Sequence, residues 1–326
     1  MRTHASRFAG RSAVVMGGAG FVGSHLCEAL LDEGASRVVS VDNLVTGNLR
    51  NLEGLHGRPG FEVLHQDVTL GIPVEGALDY VFNLASPASP IDYARIPLET
   101  LRVGSYGTEQ GLLLATARKA TFLQASTSEV YGDPLVHPQR EDYWGNVNPV
   151  GPRACYDEAK RFGEALCVSF AQVHGTRVRI ARIFNTYGPR MRLNDGRVVP
   201  AFVSQALEGR DFTIFGDGLQ TRSFCYVEDL VDGLLRLALS DVEGPVNLGN
   251  PTELTLLEFA EAVRAAAGGG GKLVHLPLPK DDPRQRKPDI TRARTLLGWN
   301  PTVGLEEGLA RTLEAFTALA GDPRRP

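Results

Sequence analysis

Ala13-Val-Val-Met16 runs directly into Gly17-Gly-Ala-Gly-Phe-Val-Gly23. A short apolar run ending in glycines reads as a buried strand, with a helix opening behind it. Glycines at 17, 20 and 23 allow a tight turn, close backbone approach to a pyrophosphate, and close helix–sheet packing. The helix start at Phe21 and Val22 then points its unpaired N–H groups at the anion. Arg37-Val-Val-Ser-Val-Asp42 forms the next strand. Its terminal Asp42 falls about twenty residues past the glycines, where a carboxylate accepts hydrogen bonds from an adenosine ribose. Asn43-Leu44 follows, with no arginine beside the acid to hold a 2′-phosphate, so NAD is favoured over NADP. Asp67-Val68 closes a third strand, Phe61–His65, where it could meet adenine or act as an ordinary turn aspartate.

The same rhythm continues downstream. Asp79–Leu84, Thr121–Ser126 and Val178–Phe184 read as strands, and Val22–Glu33, Leu98–Lys119 and Tyr156–His174 as helices. Strands alternating with helices imply βαβ units, so the expected fold is α/β: a doubly wound parallel (Rossmann) sheet with a smaller α/β substrate-binding lobe. The cofactor domain is expected at 1–185, with 227–251 and about 302–316 returning to it. The lobe is expected at 186–226 and 252–301, and 317–326 reads as a flexible tail.

Composition narrows the function. The 326 residues are 43% hydrophobic and 22% charged with net charge −4, which argues against electrostatic capture of nucleic acid or an anionic membrane. No apolar run is long enough for a membrane helix, and the N-terminus lacks a secretory pattern. Four cysteines without Cys-x-x-Cys spacing, and seven scattered histidines, give no metal site or disulfide framework; a cytoplasmic setting is expected.

Tyr156-Asp-Glu-Ala-Lys160 puts a phenol and an ammonium on one helix face. A free phenol is a poor base near neutral pH, and a nearby cation favours the phenolate. The pair could therefore take a proton from a sugar hydroxyl while NAD⁺ takes the hydride. Ser126-Thr-Ser-Glu-Val-Tyr-Gly132 ends a strand at the same sheet edge. Thr127 could bond the same substrate oxygen, with Ser128 and Glu129 extending towards the next carbon.

With these residues in place, the chain resembles the extended short-chain dehydrogenase/reductases that act on nucleotide sugars, and among them the UDP-glucuronate decarboxylase family. The resemblance runs from about residue 13 to 316. It is carried by Leu84-Ala-Ser-Pro-Ala-Ser-Pro90, Ser126–Asp133, Gly151-Pro-Arg-Ala-Cys-Tyr-Asp-Glu-Ala-Lys160, Ala181–Arg190, Asn194–Val199 and Arg286-Lys-Pro-Asp-Ile290. It implies tightly bound NAD recycled within each turnover, UDP-glucuronate as substrate, UDP-xylose and CO₂ as products, and a homodimer. Catalytic roles would fall to Tyr156, Lys160, Thr127, Ser128, Glu129 and Arg286. Asn185, Arg222 and Arg286, with Arg197 and Arg102 as further candidates among 29 arginines, would hold the nucleotide sugar. Asn43, Thr46, Gly47, Leu84 and Thr186 complete the expected cofactor contacts; no metal is expected.

The related 4,6-dehydratases carry an aspartic acid at the position of Ser128. Near a uronic acid, a second carboxylate about 5 Å from the substrate's would cost roughly 3 kcal/mol at an effective dielectric of 20, so serine fits a decarboxylase better. A 4,6-dehydratase or 4-epimerase is the alternative within the family, and a non-catalytic nucleotide-binding protein the remote one. One departure stands out: Gly104 occupies a position where the family usually has an asparagine organising hydrogen bonds behind the lysine.

Overall fold

The computed structural model describes residues 6–193, 195–277 and 285–320. Its first half builds β1 (Ser12–Met16), α1 (Phe21–Asp32), β2 (Arg37–Asp42), β3 (Phe61–His65) and β4 (Tyr80–Asn83). There follow α2 (Pro90–Arg95), α3 (Pro97–Arg102), α4 (Thr108–Arg118), β5 (Thr121–Thr127), α5 (Ala154–His174) and β6 (Val178–Ile183). The second half contains β7 (Thr186–Tyr187), α6 (Val198–Leu207), β8 (Phe212–Phe215), β9 (Thr221–Ser223), β10 (Cys225–Tyr226), α7 (Val227–Leu239) and β11 (Pro245–Leu248). It ends with β12 (Glu253–Thr255), α8 (Leu256–Ala266), β13 (Leu273–Leu276), β14 (Gln285–Arg286), α9 (Thr291–Leu297) and α10 (Leu305–Ala320).

Seven strands form one parallel sheet in the order β11-β6-β5-β4-β1-β2-β3. This is the doubly wound order with β11 added at one edge. Both faces are covered, and alternate residues of β1 divide between them. Val14 and Met16 pack with Leu112, Cys167 and Phe170 beneath α4 and α5, while Ala13 and Val15 join Leu26, Leu30 and Leu234 on the α1/α7 side. The strand order reverses around β1, so the ends of β1 and β4 open a crevice at the carboxyl edge.

The smaller sheets lie in the second half: β12-β9-β14, β13-β8 and β10-β7. The expected helix over Leu98–Lys119 stays helical through to Arg118, with one departure from regular α geometry. A π-helical turn, Val103–Gly107, separates α3 from α4. Residues 317–320, expected in a flexible tail, belong to α10, while 321–326 lie outside the described residues, as does Asn194. No helix among the described residues is long and apolar enough to cross a membrane.

Candidate active site

The crevice begins at Gly17, whose φ of +76° turns the chain sharply out of β1. A Cβ there would stand 2.8 Å from the Ala85 nitrogen and the Leu84 carbonyl carbon, so the loops after β1 and β4 meet backbone to backbone. A Cβ on Gly23 would lie 2.1 Å from the Gly17 oxygen, which closes α1 onto the turn. Gly20 caps α1 in extended conformation with no side-chain hydrogen bond. The first amides of the helix, from Phe21 and Val22 onward, therefore face the crevice mouth without a capping side chain. An anion's oxygens fit there.

Asp42 is buried at the end of β2 and accepts from the Ala19 amide (3.0 Å) and the Leu44 amide (2.8 Å). Burial raises its carboxyl above the ordinary range, against the pull of those two amides. Gly47 lies over the carboxylate: a Cβ would come within 2.6 Å of Asp42 Oδ1. Thr46 is half-buried beside it, and Asn43 donates to Asp67 Oδ2 at 3.2 Å. Asp67 in turn caps the turn at Val68–Leu70 through the Thr69 amide and hydroxyl. Burial pushes Asp67 up, but these hydrogen bonds outweigh it and hold the carboxyl low. A glycine-lined turn, an open helix N-terminus and an acid at the end of β2 fit a dinucleotide.

The reacting groups gather further along the edge. Tyr156 and Lys160, one helical turn apart on α5, are both buried. Lys160 Nζ donates to the Ala125 carbonyl at 2.9 Å and stands 5.7 Å from the Tyr156 ring centroid, over the ring rather than at the phenol oxygen. Burial lowers the ammonium to about 8 and raises the phenol to about 12; a hydrogen bond with Thr127 and the charge of Arg197 pull the phenol back. Thr127 ends β5 and accepts from the Glu129 amide (3.2 Å), capping the short turn Ser128–Tyr131. Ser128 is buried in that turn.

Glu129 is clamped between two guanidiniums: Arg286 binds Oε1 and Arg153 binds Oε2. Burial would raise its carboxyl, but the charges of Arg286 and Arg153 outweigh it, so Glu129 is held ionised. Arg286 is itself buried and also donates to the Gly132 carbonyl at 3.0 Å. It sits in β14 opposite Arg222 in β9, whose charge also reaches Glu129. Arg197 opens α6, with Nε 2.7 Å from Asp195 Oδ2. Asn185 and Thr186 lie at the β7 edge, where the Asn185 carbonyl accepts from the Cys225 amide. Arg102 stands apart: it is exposed at the end of α3, with no hydrogen bond or ion pair to these groups among the described residues.

Sequence reading missed three residues here. Tyr93 stacks on Tyr156 at 5.2 Å with rings 15° apart. Its helix, α2, is started by Ser89 and Pro90, so the Ser-Pro-Ala-Ser-Pro stretch has a positioning role that a cap-and-proline signal could have revealed. Arg153 and Asp157 are the other two, and their i,i+4 spacing on the helix of Tyr156 was the available sign. The structure also explains Gly104: a Cβ there would stand 2.5 Å from the Ala159 Cβ, so glycine lets the π-helical turn press against α5. Behind it, Asn83 donates to Thr108 Oγ1 (3.1 Å) and Gln124 Oε1 (2.9 Å) in a buried polar layer.

Residues 13–249 match the family described as "NAD dependent epimerase/dehydratase family". Among curated proteins, UDP-glucuronic acid decarboxylase 1 of Xenopus tropicalis is 52% identical over 93% of this chain and 71% of its own length. UDP-glucuronic acid decarboxylase 5 of Arabidopsis thaliana is 50% identical over 94% of this chain and 90% of its own. Among solved structures, UDP-glucuronic acid 4-epimerase from Bacillus cereus in complex with UDP-glucuronic acid and NAD superposes with a TM-score of 0.85. It is 28% identical and covers 94% of this chain and 99% of that one.

Proposed function

Because the chain belongs to the NAD dependent epimerase/dehydratase family, we propose that it is the enzyme that converts UDP-glucuronate to UDP-xylose and CO₂. One observation carries the choice of reaction: relatives named UDP-glucuronic acid decarboxylase are about half identical over nearly the whole chain. The site chemistry agrees. Ser128 stands where a dehydratase needs an acid, and the only carboxylate of the Thr127-Ser128-Glu129 turn is neutralised by Arg153 and Arg286.

When bound, NAD⁺ supplies the acceptor for the C4 hydride and the donor that later restores it. Tyr156 takes the C4 hydroxyl proton, with Thr127 sharing that oxygen and the buried Lys160 ammonium supplying the charge that favours phenolate. The product is a β-keto acid. Its C5–C6 bond breaks, CO₂ departs, and the electron pair spreads onto the C4 oxygen, where Tyr156 and Thr127 donate hydrogen bonds. C5 then takes a proton from a water that Glu129, held ionised, orients by accepting a hydrogen bond from it, and a solvent proton neutralises the hydroxide left behind, so one proton is consumed overall. Arg286 and Arg222 offer planar donors to the sugar carboxylate and the diphosphate. In this reading the cofactor half comprises 1–185 with 227–251 and about 302–316, and the remainder of 186–301 holds the nucleotide sugar.

A homodimer is part of the same proposal. Leu98, Leu101, Tyr106, Leu113, Phe162 and Val168 are all 40–60% exposed on α3, α4, α5 and the turn between them. An apolar area of this kind is best covered by a second copy of itself through a two-fold axis. Four unpaired thiols, three of them buried, support a reducing, cytoplasmic setting. The test is direct: purified protein given UDP-glucuronate should release CO₂ and yield UDP-xylose without net accumulation of reduced cofactor. Turnover of another nucleotide sugar with UDP-glucuronate left intact rejects the decarboxylase.

A further inference from the structure

Behind Glu129 lies a carboxyl group to which the reaction above gives no role. Asp157 is buried on α5, one residue past Tyr156, and its Oδ1 has no hydrogen-bond partner. Its Oδ2 is 3.9 Å from Arg153 Nε, too long for a hydrogen bond, because the Arg153 Nη2 is committed to Glu129. An ionised carboxylate left like this would bear most of its desolvation cost uncompensated, whereas the neutral acid bears far less.

We propose that Asp157 is the proton-coupled positioning residue of the anion site, neutral while Arg153 serves Glu129 and holding its proton more tightly when a sugar carboxylate enters. The charges facing it are few. Arg153 comes from its own helix, Glu129 from the turn after β5, Arg286 from β14, and Glu158 from the next position along α5. The phenols of Tyr93 and Tyr156 complete its surroundings. With Glu158 paired to Arg161 on the same helix, the two guanidiniums and Glu129 leave this cluster at +1 when Asp157 is neutral, which suits an incoming anion. Ionised Asp157 cancels that charge. Burial and the Glu129 charge raise the Asp157 carboxyl to about 7, within the range where the switch operates.

The chemistry gives the coupling a use. Replacing a carboxylate by hydrogen consumes one proton overall: R–COO⁻ and H⁺ become R–H and CO₂. A site that gains a proton together with its anionic substrate carries that proton close to where it is spent.

The inference rests on the decarboxylase reading, and the experiment separates the two. NAD-loaded Tyr156→Phe protein, blocked in oxidation, is titrated with UDP-glucuronate and with UDP-glucose by calorimetry between pH 6 and 8, in buffers of different ionisation enthalpy. The uronate should take up a fraction of a proton more than the neutral sugar near pH 7, and its affinity should fall by up to about tenfold per pH unit above that. Asp157→Asn in the same background should abolish both differences, with Asp157→Ser as a second variant should the first not fold. Equal proton uptake for the two ligands in the Tyr156→Phe protein overturns the proposal, as does excess uptake that survives loss of the Asp157 carboxyl. Wild-type protein that releases no CO₂ from UDP-glucuronate fails the decarboxylase reading instead, whatever the proton count.

Discussion

At the scale of single residues, the reacting end is a contest between burial and charge. Tyr156 and Lys160 are both pushed towards their neutral forms by burial, and the phenol is stacked on Tyr93. Tyr156→Phe should keep the fold and NAD binding while lowering kcat by about 10²–10⁴-fold, the usual worth of a positioned acid–base group; fluorescence titration with the cofactor and a product assay read the two halves separately. Asp157 makes a second prediction, on stability. Its folded pKa of about 7 lies above the ordinary aspartate value, so between those two values the folded protein binds the extra proton. The associated stability is complete below the unfolded pKa and is lost as pH rises through 7. Relative to Asp157→Asn, the wild type should lose up to about 4 kcal/mol between pH 4 and pH 8, an upper limit from a three-unit shift. Urea unfolding midpoints of the two proteins, compared at both ends of that range, measure it; parallel profiles would put the carboxyl at its ordinary pKa.

At the scale of elements, what was legible followed from period and punctuation. The six early strands show as apolar runs, and the glycine turn after β1 and the cap of α1 are fixed by steric demands that sequence displays directly. Asp42, Tyr156 and Lys160 were readable because each has a fixed offset from such a landmark. Arg153, Asp157 and Tyr93 were harder, since their roles arise from contacts between α2, α5 and the turn after β5, which are distant in sequence. Arg102 had only basic character to recommend it, and the structure leaves it exposed at the end of α3. The π-helical turn at Val103–Gly107 was hidden because the close approach that calls for Gly104 is made to Ala159 on another helix. That contact is testable as a pair. Gly104→Asn should destabilise the protein by about 1–3 kcal/mol through overpacking, and Gly104→Asn with Ala159→Gly should regain most of it. Equal losses in the single and double variants, by denaturant titration, would mean that the two positions do not press on each other.

At the scale of the molecule, the sheet, the α3–α5 layer and the site form one mechanical chain. The face of α5 that carries Lys160 packs towards β5, while Phe162 on the outer side of the same helix and Val168 on its flank are exposed. If a second copy covers that outer side, its pressure on α5 acts on the helix that holds Tyr156, Asp157 and Lys160, so assembly and catalysis should fall together. Wild-type protein should sediment as a dimer at micromolar concentration, and Leu113→Glu with Phe162→Glu should sediment as a monomer, because two carboxylates per copy would be buried against two more. The monomer should keep its helical circular dichroism yet lose turnover by tenfold or more, as α5 loses the support that fixes the Tyr156–Lys160 pair. Wild type that sediments as a monomer removes the dimer, and a fully active monomeric variant would confine the catalytic geometry to a single chain.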